Sequence, residues 1–145
     1  MIKIDEKGRS LETSDICHFE TLINGTLPKL YKDFLYSYNG GIPSPDVIDI
    51  EGASESPTDI QVFFGIDRSV ESSNLIWNAK LFSTLLQNEA LLPIACDSGG
   101  NLFCIVISGV EKGNIYYYEV DSPQQAKYFI AHDFDELLRK LREWQ

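Results

Sequence analysis

The residues best suited to chemistry stand in one short run, Asp97-Ser98-Gly99-Gly100, between the apolar stretches of LLPIACDSGGNLFCIVI (Leu91 to Ile107). Asp-Ser-Gly-Gly surrounds the nucleophile of chymotrypsin-like proteases, and acyl transfer there needs a base to take the serine proton and a third group to orient that base. Only His18 and His132 could supply the base. His18 falls on an expected helix, His132 follows the serine, Cys96 replaces the glycine before the aspartate, and 145 residues are too few for a double barrel. Turn chemistry accounts for the run instead: Asp97, Gly99, Gly100 and Asn101 are types that tolerate positive φ and bond a loop backbone where two strands reverse. Paired glycines also let a ligand or a partner backbone come close.

The remaining candidates for chemistry are weaker. Cys17 and His18 are neighbours on a helix, so their side chains point about 100° apart and cannot act as a dyad. His132 and Asp133 lack a third ligand at any recognised metal spacing. Cys17, Cys96 and Cys104 are odd in number and without C-x-x-C spacing, which predicts buried reduced thiols rather than a disulfide frame or a zinc site. With no glycine-rich phosphate loop either, neither cofactor nor metal is expected, and no catalytic residue. Tyr116 to Tyr118 could stack on bases, but Glu119 and Asp121 follow them, so cross-strand packing is the expected role.

The elements that hold these residues follow from periodicity. Ile16, Phe19 and Ile23 predict a first helix with Thr13 or Ser14 as its cap and Asn24-Gly25 as its stop. Leu30, Phe34 and Tyr38, flanked by Tyr31 and Leu35, predict a second helix with Pro28 at its first position and Asn39-Gly40-Gly41 at its end. Ile42 to Ile66 contains Asp46, Asp49, Glu51, Glu55 and Asp59 without one Lys or Arg. It reads as loop with short edge strands at Val47 to Ile50 and Gln61 to Phe64. Ser72 or Ser73 caps a third helix through Leu75, Ala79, Phe82 and Leu86, laid over the sheet. Leu102 to Ile107 is apolar on both alternating faces and so predicts a central strand, with Leu92 to Cys96 before it and Ile115 to Val120 after a turn at Ser108 to Asn114. Asp133 and Glu136 start a last helix with a stripe of Phe134, Leu137, Leu138, Leu141 and Trp144. The expected fold is α+β, one domain over residues 1–145, with a central antiparallel or mixed sheet flanked by helices at both chain ends.

Charge narrows the function. Twenty-two acidic residues against 12 basic leave a formal net charge of −10. That field repels phosphate backbones and steers in basic protein partners. The expected partner surface is therefore the acidic run of Asp46, Asp49, Glu51, Glu55 and Asp59. The start of the chain has no basic and apolar leader and no stretch is long enough to span a membrane, so a cytoplasmic location is expected.

Three segments in order, LPKLYKDFLYSYNGG (Leu27 to Gly41), LLPIACDSGGNLFCIVISGVEKGNIYYYEVD (Leu91 to Asp121) and IAHDFDELLRKL (Ile130 to Leu141), resemble the SUKH superfamily. This is the Smi/Knr-type family of bacterial immunity proteins and fungal cell-wall glucan-synthesis regulators. The resemblance implies an α+β domain without catalytic residues that binds proteins. Its bacterial members bind and neutralise toxin domains, often nucleases. It also implies that Asn39, Gly40 and Gly41, and Asp97, Gly99, Gly100 and Asn101, are fold-defining positions near a shared face. Ile42 to Ala90 shows no family pattern, and Tyr118 stands where many members carry tryptophan. The implied function is immunity against a basic toxin domain, the alternative a regulatory or scaffold module.

Overall fold

A strand apolar on both faces has to be covered on both, and Leu102–Val106 is buried at every position. The computed structural model describes residues 2–87 and 89–145. In chain order it contains β1 (Lys3–Asp5), α1 (Thr13–Ile23), α2 (Lys29–Tyr38), β2 (Ile42–Ser44), β3 (Val47–Ile48), β4 (Thr58–Asp59) and β5 (Val62–Phe63). A 3₁₀ turn (Glu71–Ser73), α3 (Leu75–Leu81), β6 (Leu91–Cys96), β7 (Leu102–Val106), β8 (Ile115–Tyr118), β9 (Lys127–Ala131) and α4 (Phe134–Arg139) follow. The main sheet has five strands in the order β5-β6-β7-β8-β9. Every pairing in it is antiparallel, which makes the fold α+β with β7 at the centre.

The helices meet this sheet through aromatic rings. Phe34 of α2 lies 4.6 Å from Phe134 of α4 and 5.1 Å from Phe63 of β5, centroid to centroid, and Tyr31 sits 5.2 Å from Phe134. Such pairs add about 0.5–1.5 kcal/mol each beyond the area they bury. The α2 stripe is centred on Tyr31, Phe34 and Leu35, whereas Leu30 is half-buried and Tyr38 exposed. On β7 and β8, Phe103 packs across the strands against Tyr117, the ring centroids 5.2 Å apart and the planes tilted by 59°, so the tyrosine row packs within the sheet.

Several local expectations are corrected. The first helix is capped at Glu12 rather than Thr13 or Ser14, because the Asp15 carboxylate accepts the Glu12 N–H at 2.8 Å. Pro28 is the cap of α2, one position earlier than predicted. The third helix starts after Asn74, since Ser72 and Ser73 belong to the 3₁₀ turn, and it ends at Leu81, with Leu86 buried from a following run of turns. The last helix stops at Arg139, which leaves Trp144 exposed and off its stripe. Cys104 is buried as expected, Cys96 is half-buried, and Cys17 faces solvent. Strands β1 and β9 were not foreseen, and β1 places a strand ahead of the first helix.

The acidic run is a strap folded back on itself. Val47 pairs with Asp59 and Ile48 with Thr58. The Ile60 N–H reaches the Asp46 carbonyl at 2.9 Å, and Val47 exchanges backbone bonds of 3.1 and 2.8 Å with Arg142. Val47, Ile48, Ile50 and Ile60 turn inward and are buried.

Candidate functional site

Each of the two glycine-rich motifs builds a pin, and both pins hold the same stretch, residues 58–66. At the first, Asn39 takes a left-handed conformation at the end of α2, with φ of 53° at the matching Asn24 of α1 and 50° here. Asparagine tolerates that region because its short side chain bonds locally. Its buried amide accepts the Ile66 N–H at 2.7 Å and donates to the Ile66 carbonyl at 2.8 Å and to the Arg9 carbonyl at 3.2 Å. Gly40 lies under the Arg68 guanidinium, which donates to the carbonyls of Asn39 at 2.9 Å and Glu6 at 2.6 Å. Gly41 exchanges bonds of 3.1 and 2.7 Å with Phe63, extending the sheet beyond β5.

At the second pin the hub is Asp97, only 3% exposed. One carboxylate oxygen accepts the N–H groups of Gly99 (3.0 Å) and Asn101 (2.9 Å), and the other accepts the hydroxyls of Tyr117 (2.5 Å) and Thr58 (2.8 Å). Asn101 then donates to the Tyr117 hydroxyl at 2.9 Å and accepts the Val120 N–H at 3.0 Å. A buried carboxylate needs such donors to be tolerated, since bonds to a charged group contribute about 1.5–3 kcal/mol each. Burial and the Asp97 bond push the Tyr117 phenol well above its ordinary range, so it remains a donor.

Ser98 has a different partner. Its N–H donates to Asp59 at 2.8 Å and its hydroxyl donates to the same carboxylate. No imidazole bonds it: His18 is on α1, and His132 follows β9, where its Nδ1 is 3.3 Å from Glu136. Cys96, half-buried and pushed up to about 11 by desolvation, stays a thiol at neutral pH. Among the described residues no group of His, Cys, Asp and Glu is gathered to hold a metal, and no helix is long and apolar enough to cross a membrane.

The five strap carboxylates divide into two kinds. Asp49 is gripped by Arg142 through bonds of 2.8 and 2.9 Å, which lower its pKa, and Asp59 is engaged by Ser98. Asp46 is half-buried at the base, while Glu51 and Glu55 are exposed. Glu51 and Asp49 also edge a groove of about 430 Å³ shared with Phe129, Ile130 and Lys140. Spacing alone could not separate structural from free carboxylates, because Arg142 is distant in sequence. Arg68, Asn74 and Asn78 escaped the sequence reading as well. The one local signal is a pair of asparagines four residues apart where an apolar helix face was expected.

The family model described as SMI1-KNR4 cell-wall, SUKH_6, matches residues 13–138. No curated protein matches the chain. The match spans both glycine-rich turns, α1 to α3, all but the last residue of α4 and the whole five-stranded sheet, so this chain belongs to the SUKH (SMI1-KNR4) family.

Proposed function

We propose that the chain is a non-catalytic binding module of the cytoplasm, an immunity protein that occludes a basic toxin domain such as a nuclease. The observation that carries this reading is the strap: Glu51 and Glu55 stand exposed, and Asp46 half-exposed, on a segment whose backbone is fixed to the sheet and to Arg142. A nuclease must present positive charge to a phosphate backbone, and an exposed acidic surface on a chain of net charge −10 complements that field. Asp49 and Asp59 support the strap, and the free carboxylates carry the contact.

The test is co-expression with a toxin encoded beside the gene, followed by binding measurements at several salt concentrations. Reversing Glu51 and Glu55 together to lysine should weaken the complex by about tenfold or more through slower association, because like charges then meet. Thermal stability should change little, since exposed charges contribute about 0–1 kcal/mol. No rescue and no complex at low salt would discard the immunity reading. The family's cell-wall description favours a second reading, a regulatory module that binds a host protein. A gene neighbourhood without a toxin supports it.

A further inference from the structure

The five-stranded sheet has one covered edge and one open edge. The outer side of β5 is taken by Gly41, which bonds Phe63, whereas among the described residues no strand pairs with the outer side of β9. We propose that β9 takes an extended segment of a basic protein partner as an added antiparallel strand, with a lysine or arginine turned toward the strap. The proposal rests on the reading of this chain as the binder of a basic protein, and it says how such a partner is held.

The register shows which backbone groups are open. The Glu119 N–H bonds the Ala126 carbonyl at 2.9 Å and Tyr117 lies opposite Tyr128, so Ala126 and Tyr128 turn their backbone groups toward β8. Antiparallel pairing alternates along a strand, so Lys127 and Phe129 turn theirs outward, where an incoming strand can bond them. Ile130, the extra residue of a bulge, has its carbonyl taken by the Lys140 ammonium and closes the open stretch. Lysine guards many exposed edges. Here Lys127 is drawn to Glu89 at 2.9 Å and lies over the Tyr116 ring at 4.8 Å, which leaves the edge itself unguarded.

The groove of about 430 Å³ lies at this edge, lined by Phe129 and Ile130 of β9, by Asp49, Glu51 and Ser56 of the strap, and by Lys140. Side chains alternate between the two faces of a strand. Tyr128 faces the strap, where a β-carbon on Gly52 would stand 3.6 Å from its ring, and Lys127 and Phe129 face the other side. Phe129 is 42% exposed there, with its ring edge-on to Tyr116 at 5.9 Å. An added strand would thus place one side chain beside the strap and its two neighbours on the Phe129 side, where a β-branched residue pairs well with an aromatic ring.

The charges at the groove decide the occupant. Each cation around it already has a partner: Lys127 has Glu89, Lys140 has the Ile130 carbonyl and, at 3.8 Å, Glu136, and Arg142 has Asp49. His132, packed on Phe129, faces Glu136. Glu51, which lines the groove itself, is in no ion pair among the described residues, and Glu119 accepts the Tyr128 hydroxyl at 3.1 Å and adds negative charge. A lysine or arginine opposite Tyr128 therefore meets unmatched carboxylate, and a glutamate there is repelled. A second copy would pair β9 with β9 and set −10 against −10, which disfavours it.

The test is an NMR titration of the isotope-labelled protein with the acetylated, amidated peptide Thr-Val-Lys-Val-Thr, whose lysine would lie opposite Tyr128 and whose valines would turn their N–H groups to β9. Before peptide is added, the Lys127 and Phe129 amide protons should exchange rapidly with solvent and that of Tyr128 slowly. With peptide, the first two should become protected and the amides of Glu51 and Gly52 should shift. N-methylation of the second valine should abolish the protection, whereas N-methylation of the lysine, whose N–H would point away from β9, should leave it. Glutamate in place of the lysine should weaken it. Strap shifts without protection of Lys127 and Phe129 overturn the added strand and leave the strap reading standing. Equal protection by the lysine and glutamate peptides overturns the basic occupant. No response to the peptide overturns the proposal, and the immunity reading then stands or falls on its own co-expression test. Protection that rises with protein concentration before peptide is added assigns the edge to a second copy and overturns the proposal.

Discussion

Tyr31 is 1% exposed, and its hydroxyl has no hydrogen-bond partner among the described residues. Burial pushes its phenol far above the ordinary value. An unpartnered buried hydroxyl costs about 1–3 kcal/mol in lost hydration, so Tyr31→Phe should stabilise the fold by about 1 kcal/mol. A urea midpoint that stays equal or falls would show that the hydroxyl is satisfied in solution. Asp97 is the opposite case, a buried charge with four donors. In the run Asp-Ser-Gly-Gly the aspartate is therefore the residue the fold depends on. Its serine, the residue that first suggested chemistry, is spent on Asp59.

Among the elements, the two glycine turns differ in what surrounds them. Gly40 and Gly100 have nearly equal φ, 90° and 91°, and a side chain at either position is strained by about 1–3 kcal/mol. A β-carbon on Gly40 would also collide with the Arg68 guanidinium and lie 2.7 Å from the Phe63 carbonyl, while at Gly100 it would meet open space. Gly40→Ala should thus lower the denaturation midpoint by clearly more than Gly100→Ala, and equal losses would show that the pin under Arg68 can relax.

The central hairpins, the end of α2 and the start of α4 were legible because their signals are local: two-faced apolar runs, glycines at the turns, an aspartate cap. The Asp133 carboxylate does accept the Glu136 N–H at 2.8 Å. Strands β1 and β9 were not legible, since three polar-flanked residues and the mixed run KYFIA become strands only by pairing with β2 and β8. The start of α3 depends on Asn74 reaching back to Arg68, and the groove at β9 is assembled from segments spread over the chain from Asp49 to Lys140. Sequence carries the family motifs plainly, but a strap carboxylate's freedom is decided by a partner as remote as Arg142.

At the scale of the whole molecule, the excess of negative charge makes the few tightly bonded carboxylates informative. Asp15, bonded to Arg9 and to the Glu12 N–H, is held down to about 2 from an ordinary 3.8. A depressed pKa stabilises the fold above the ordinary value and is lost as pH falls through the folded one. Asp15→Asn should therefore lower stability at neutral pH, and the gap to the wild type should close between about pH 4 and pH 2. A gap that persists at pH 2 would assign the effect to packing. Asp49 and Glu136, lowered by Arg142 and by the His132 backbone N–H, move the same way and steepen acid unfolding.

The strap has a further consequence. Its base is closed by Val47 on Arg142, Ile60 on Asp46 and Thr58 on Asp97, and within residues 51–55 only Ala53 leans on the core. The chain between Ile50 and Ser56 is thus a loop whose closure entropy the rest of the fold has already met, and lengthening such a loop costs only about 0.6 kcal/mol per doubling. Foreign peptides grafted there would be presented with their ends preset, which makes the molecule a display scaffold whose loop sequence can be rewritten without redesigning its core.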